Sequence, residues 1–127
     1  MSESNLTQTT FDVHTGEDPN KELFVFRIPT VREYAKIGAR AHELRRTDSP
    51  STGGSEFGMD FFTIDLYRGM ALFETLLSRA DAKDNWPFTT DATGKPVVDS
   101  TTFPPRATRT IGEAYRGFEE QYNAFLG

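Results

Sequence analysis

The sequence predicts a mainly helical α+β fold, in which an N-terminal β-hairpin packs on a three-helix bundle. The first observation is a long segment, residues 57–79, whose apolar side chains recur at helical spacing. Two earlier segments alternate polar and apolar residues with the period of a strand. Two further segments combine helical spacing with a capping motif. The 127 residues are therefore expected to form a single domain, 1–127.

The central helix is predicted over residues 57–80. Its apolar stripe steps by three or four residues, through Phe62, Leu66, Met70, Phe73 and Leu77. Other apolar residues widen this stripe, so little of the circumference is polar. Such a helix is expected in the middle of a bundle.

The predicted hairpin pairs residues 7–14 with residues 23–28, across a polar turn. Phe24, Phe26 and Ile28 are expected to face the core. An isolated hairpin is only marginally stable in water, so this one must pack on the helices. Residues 1–6 are polar and are predicted to be a frayed terminus.

A first helix is predicted over residues 30–46, where Thr30 and Glu33 have the spacing of a capping box. Its basic residues Arg32, Lys36 and Arg40 are spaced by four and form a row along one side. Two interpretations of this row stay open. It is either a solvated face eased by nearby glutamates, or a surface that binds an acidic partner.

Two connecting segments are predicted to be irregular. Residues 47–56 contain proline, glycine, serine and threonine with nothing apolar, which is typical of a flexible linker. Residues 84–109 form a proline- and threonine-rich loop that cannot be mainly helical. A short hairpin with Gly94 in its turn is expected inside this loop.

The last helix is predicted over residues 110–126, with Thr110 and Glu113 as a second capping box. Its apolar seam is mostly aromatic and consists of Ile111, Tyr115, Phe118, Tyr122 and Phe125. Phenylalanine occurs 11 times in the chain and outnumbers leucine. This surplus indicates a use for rigid aromatic surface.

No pattern in the sequence is typical of an enzyme or of a metal or cofactor site. The chain has no cysteine, which excludes thiol catalysis and thiolate zinc sites. His14 and His42 stand alone, and nucleotide-binding and hydrolase motifs are absent. The net charge of −5 and the short apolar runs do not fit a nucleic-acid or membrane protein. The expectation is a soluble, intracellular protein without enzymatic activity.

Several segments together resemble the tail assembly chaperones of long-tailed, siphovirus-like bacteriophages. The resemblance covers residues 22–125 and is carried by these patterns: Phe-Arg-Ile-Pro-Thr-Val-Arg-Glu33, Ile37-Gly-Ala-Arg40, a long helix ending in Leu76-Leu77, a Trp-Pro step, and Ala114-Tyr-Arg-Gly-Phe-Glu-Glu-Gln-Tyr122. It implies a helper that binds the tape measure protein in the host cytoplasm, keeps it soluble during tail tube assembly and is absent from the mature virion. Further candidate partners are the tail tube protein, a longer frameshifted form and a second copy of the chain. The alternative is a small structural subunit for tail completion or head-tail connection.

A client with apolar seams requires an exposed complementary groove on its helper. The candidate groove is bordered by aromatic residues, with the basic row as an electrostatic rim: Trp86, Phe88, Tyr115, Phe118, Tyr122, Phe125, Arg32, Lys36 and Arg40. The competing interpretation is that these aromatic residues close the bundle core, with Trp86 as a lid over its open end.

Overall fold

The structure is a computed structural model that describes residues 8–81, 86 and 88–127. The predicted frayed terminus at 1–6 lies outside these residues, as do residues 84, 85 and 87 of the predicted irregular loop. Within the described residues there are a three-stranded sheet, a two-stranded hairpin and three α-helices. The prediction of a mixed, mainly helical chain is therefore confirmed.

The larger sheet contains the predicted hairpin and one additional strand. Strands β1 (Thr10–Thr15) and β2 (Glu22–Arg27) pair antiparallel, and β3 (Leu77–Asp81) pairs antiparallel with the other edge of β2. As predicted, Phe24 and Phe26 are buried, and Ile28 packs partly buried against the core. The hairpin is thus held by both a strand and the helices.

The central helix is shorter than predicted at both ends. Helix α2 spans Phe61–Leu76, whereas the prediction was 57–80. The Asp60 side chain accepts a hydrogen bond from the Thr63 N–H at 2.7 Å, which fixes the start of the helix. At its other end the backbone becomes extended and continues directly into β3, because pairing with β2 satisfies the backbone groups there. Residues 77–80 are therefore strand, and the helical prediction for them was wrong.

Helix α1 (Val31–Asp48) begins at the predicted capping box. Thr30 Oγ1 accepts the Glu33 N–H at 3.2 Å, and Glu33 Oε1 accepts the Thr30 N–H at 3.1 Å. Arg27 donates a further hydrogen bond of 2.8 Å to the same carboxylate. The pKa of Glu33 is lowered by this bond to Arg27 and by the bond from Thr30. The cap thus joins the end of the hairpin to the start of the helix.

We expect Thr30→Ala to lower the free energy of unfolding by about 1 kcal/mol, because an amide in the first turn loses its acceptor. Chemical denaturation monitored by circular dichroism measures the change. The matched control is Thr89→Ala at an exposed strand position, which should be close to neutral. Equal losses in the two variants would contradict the stabilising role of the cap.

The connection between α1 and α2 is anchored near its middle. Helix α1 extends two residues into the predicted linker, and a 3₁₀ turn follows at Pro50–Thr52. The buried Arg45 side chain donates through Nε to the carbonyl oxygen of Gly54 at 2.8 Å and forms an ion pair with Glu56 at 3.3 Å. The predicted flexibility of this segment stays a prediction.

The segment before the last helix contains the predicted short hairpin. Strands β4 (Phe88–Thr90) and β5 (Pro96–Val98) pair antiparallel, and Gly94 takes a positive φ of 84° in the turn between them. Two 3₁₀ turns, Ser100–Thr102 and Pro105–Ala107, then lead into the next helix.

Helix α3 (Thr108–Leu126) starts without the predicted capping box. The preceding 3₁₀ turn runs directly into the helix, and Ala107 has helical backbone angles at the N-cap position. Thr110 therefore lies inside the helix, where its side chain cannot cap the first turn. The predicted box was wrong because no extended residue precedes the helix.

Helix α2 packs closely on both α1 and α3. Its contact with α3 is especially close at Gly69, where an added Cβ would lie 2.6 Å from the carbonyl oxygen of Ile111. Helix α3 also contacts the hairpin, since Gln121 Nε2 donates to the carbonyl oxygen of Asp12 at 2.7 Å. Within the described residues, no helix is both long and apolar enough to cross a membrane.

Candidate functional site

The predicted aromatic seam of α3 packs mainly against the chain's own core. Phe118 is fully buried and lies edge-on to Phe11 and Phe26, with ring centroids 5.6 and 6.0 Å away. Tyr122 stacks on Phe118 at 5.8 Å, and Phe125 is half-buried against Phe11 at 5.7 Å. The seam thus fills the space between α3 and the hairpin, and partner binding by these residues stays a prediction.

Trp86 lies against the opposite part of the aromatic core. Its ring is stacked 5.8 Å from Phe73 and 6.3 Å from Phe88, and its Nε1 donates to Glu22 at 2.7 Å. These contacts fit the interpretation of Trp86 as a lid, and partner binding by Trp86 stays a prediction. Phe73 also contacts Phe26 at 5.3 Å, so Trp86 and the α3 seam are connected through the core. A groove bordered by Trp86 and the seam stays a prediction.

The basic row on α1 is divided between paired and unpaired residues. Arg40 forms ion pairs with Glu43 at 2.9 Å and Glu74 at 2.8 Å. Arg32 and Lys36 are exposed, and neither has an ion pair with any residue that the structure describes. Only these two residues of the row are available as an electrostatic rim.

Glu74 connects Arg40 to the segment before α3. Its Oε1 accepts hydrogen bonds from the Ser100 hydroxyl at 2.6 Å and the Ser100 N–H at 3.2 Å. Burial alone would raise the pKa of Glu74, but hydrogen bonds from Arg40 and Ser100 outweigh it and lower the pKa. A carboxylate held ionised and fully hydrogen-bonded in this way is a structural connection, because a general acid or base needs a free position for the proton.

Tyr34, Tyr115 and Glu119 form a polar cluster between α1 and α3. Both tyrosine hydroxyls donate to Glu119 Oε1, and the bond from Tyr34 measures 2.7 Å. Burial and Glu119 raise the pKa of Tyr34 to about 12, and the same causes raise the pKa of Tyr115. Both phenols therefore stay protonated near neutral pH.

A cavity of about 340 Å³ opens beside this cluster, among α1, α2 and α3. We call it the tyrosine cleft; it is lined by Tyr34, Ala35, Ile37, Gly38, Arg68 and Tyr115. Arg68 is paired with Glu56 at 3.0 Å. The polar groups of the cleft thus already have partners inside the chain, and its remaining surface is apolar.

The most exposed aromatic side chains lie at the start of α2. Phe57, Phe61 and Phe62 are 93%, 85% and 44% exposed, and we call these three residues the aromatic tip. They account for half of the exposed large apolar side chains in the described part of the chain. Asp60 lies among them, and hydrogen bonds from Thr63 lower its pKa. The tip therefore combines apolar rings with an ionised carboxylate.

The sequence prediction missed the aromatic tip, because helical spacing assigned Phe62 to the core stripe and Phe57 to the same helix. The sequence signal that locates the tip is the N-cap residue of α2. Because Asp60 caps the helix, Phe57 lies before its first residue. The described residues contain no cluster of acidic or histidine side chains suited to a metal ion.

No protein-family model, curated protein or solved structure matches the chain.

Proposed function

We propose that this protein is a tail assembly chaperone of a long-tailed bacteriophage, which binds the tape measure protein and keeps it soluble in the host cytoplasm. The proposal has two supports. One is the residue pattern from Phe26 to Glu33 and along the last helix. The other, which carries the proposal, is the aromatic tip, since three exposed aromatic side chains within six residues are typical of surfaces that bind other proteins.

The chemistry of the tip fits a helical client. Aromatic side chains give a large contact area at a low cost in conformational entropy, and they are common anchors at interfaces. Phe57 lies in the turn before α2, where its N–H donates to Ser55 Oγ at 3.1 Å, and Phe61 is the first helical residue after the Asp60 cap. The ionised Asp60 favours a client segment that carries lysine or arginine beside its apolar seam.

We expect Phe57→Ser/Phe61→Ser to lose client solubilisation in cells that co-express the tape measure protein. The measurement is the soluble fraction of the client, together with its co-purification with the chaperone. Both side chains are exposed, so the variant should fold normally. Val97→Ser, which removes an exposed apolar side chain from β5, is the matched control and should act like the unmodified protein.

The same assay tests the candidate residues that were predicted from the sequence. The variants are Phe125→Ser and Arg32→Glu/Lys36→Glu, which change the more accessible of these residues. A loss confined to these variants would move the client site to the last helix or the basic row. If the unmodified protein neither binds nor solubilises the client, the proposed function is wrong. Mass spectrometry of purified virions gives an independent test, because detection in a defined copy number would identify a structural subunit instead.

A further inference from the structure

Phe61 of the aromatic tip and Arg68 of the tyrosine cleft lie on one face of α2. Phe61 and Arg68 are seven residues apart, which is about two helical turns, or about 10 Å along the axis. Phe61 projects into solvent at the start of this face, and Arg68 lines the cavity further along it. A protruding ring and a cavity are thus presented side by side on the same surface.

We propose that two copies of the chain associate around a two-fold axis, with Phe61 of each copy inserted in the tyrosine cleft of the other. A two-fold contact is self-complementary, so a ring and a cavity on one face can both be satisfied by a single partner. The cleft is incomplete without the second copy, which supplies its apolar contents. This inference does not depend on the proposed function.

The lining of the cleft selects an apolar aromatic occupant. The hydroxyls of Tyr34 and Tyr115 are already bonded to Glu119, so an entering ring leaves no hydrogen bond broken. A polar ligand would find few free donors or acceptors. The tyrosine faces and Ile37 offer apolar contact, and Arg68 can interact with an aromatic face through its guanidinium group.

The charges on the two surfaces favour a second copy as the occupant. The segment that would enter, residues 56–67, has no basic residue. Its Glu56 and Asp65 are paired within the chain, with Arg45 and Arg68 and with Arg116 respectively. The charge that it presents is therefore that of Asp60, which lies next to Phe61 and has no ion pair with any residue that the structure describes. The receiving helix α1 carries the unpaired Arg32 and Lys36, and Lys36 directly follows Ala35 of the cleft. The exposed ring of Phe61, with the Asp60 carboxylate beside it, would thus meet an apolar cleft next to the unpaired Arg32 and Lys36, and opposite charges favour this association.

The first test is the oligomeric state of the purified protein, measured by sedimentation velocity over a range of concentrations up to about 1 mM. We expect a dimer whose dissociation constant rises at least about tenfold in Phe61→Ser, as for loss of a buried aromatic anchor. Gly38→Leu should have the same effect, by filling the mouth of the cleft. A Cβ at Gly38 has no atom within 4 Å, so this variant should fold. Val97→Ser is the control and should leave the dimer unchanged.

The absence of cysteine allows a second test of the contact itself. Under a mild oxidant that accepts the two electrons of thiol oxidation, mixed Phe61→Cys and Gly38→Cys proteins should form a disulfide between copies, whereas Val97→Cys mixed with Gly38→Cys should not. A monomer at every concentration, or a dimer unaffected by both the tip and cleft variants, would overturn the proposal. Because no client is present in either test, the result is independent of the co-expression assay.

The two proposals share Phe61, so a bound client and a second copy exclude each other at that side chain. Adding client to the purified dimer should therefore produce chaperone monomers bound to client, if both proposals hold.

Discussion

Phe73→Ala is expected to lower the free energy of unfolding by about 3 to 5 kcal/mol, the range for removing a buried aromatic side chain. The ring of Phe73 is buried at the point where α2, the larger sheet and the segment before α3 meet. Its centroid lies 5.0 Å from Phe24 and 5.6 Å from Phe103. Its loss would leave a cavity surrounded by rigid rings, which cannot collapse to fill the space.

The matched control is Phe61→Ala, which makes the same chemical change in the same helix at an exposed position. We expect its effect to stay within about 0.5 kcal/mol, as for surface substitutions generally. Urea denaturation at low protein concentration compares both variants with the unmodified chain. A loss below about 1 kcal/mol for Phe73→Ala would mean that the helix is not central to the core.

Gly69→Ala is expected to lower the free energy of unfolding by about 2 kcal/mol, although alanine is the better helix former. An added Cβ would lie 2.6 Å from both the Cγ2 atom and the carbonyl oxygen of Ile111. A backbone oxygen cannot move by a rotamer change, so α2 and α3 would have to separate. Separation of the helices would loosen packing along their whole contact.

Gly38→Ala is the control for this substitution, because Gly38 is also in a helix but has open space around its missing Cβ. It should raise the free energy of unfolding by about 0.5 to 1 kcal/mol, the difference in helix propensity. Thermal and urea unfolding of the two variants should therefore shift in opposite directions. A stabilising effect of both would show that the α2–α3 contact is not tight.

Local patterns predicted most elements of the fold. The Thr30 capping box, the first hairpin and the turn at Gly94 depend on residues close in sequence, and all three were predicted correctly. Strand β3 was missed because the apolar spacing of α2 continues through Leu77. Its strand conformation depends on pairing with β2, more than 50 residues earlier, which local periodicity does not report.

The candidate site was less predictable, because exposure depends on which surfaces meet. Helical spacing marks Phe62 and Phe73 as members of one stripe, yet the structure buries only Phe73. Arg40 lies in the predicted basic row, but Glu74 on the next helix neutralises it. The aromatic surplus indicated a use for rigid aromatic surface, and this stays a prediction, although Phe118 is fully buried and Trp86 packs partly buried against the core. The exposed rings lie instead around the helix cap at Asp60.

The contact between β1 and α3 also has a consequence for folding kinetics. Phe11 is buried against Phe118 and Phe125, more than 100 residues later in the chain. Contacts of such high sequence separation require a large loop to close before they stabilise anything, which slows folding relative to a simple helical bundle. Before α3 packs on the hairpin, the apolar side of the hairpin is exposed and can associate with other chains. We therefore expect the chain to pass through an aggregation-prone stage before its fold is complete.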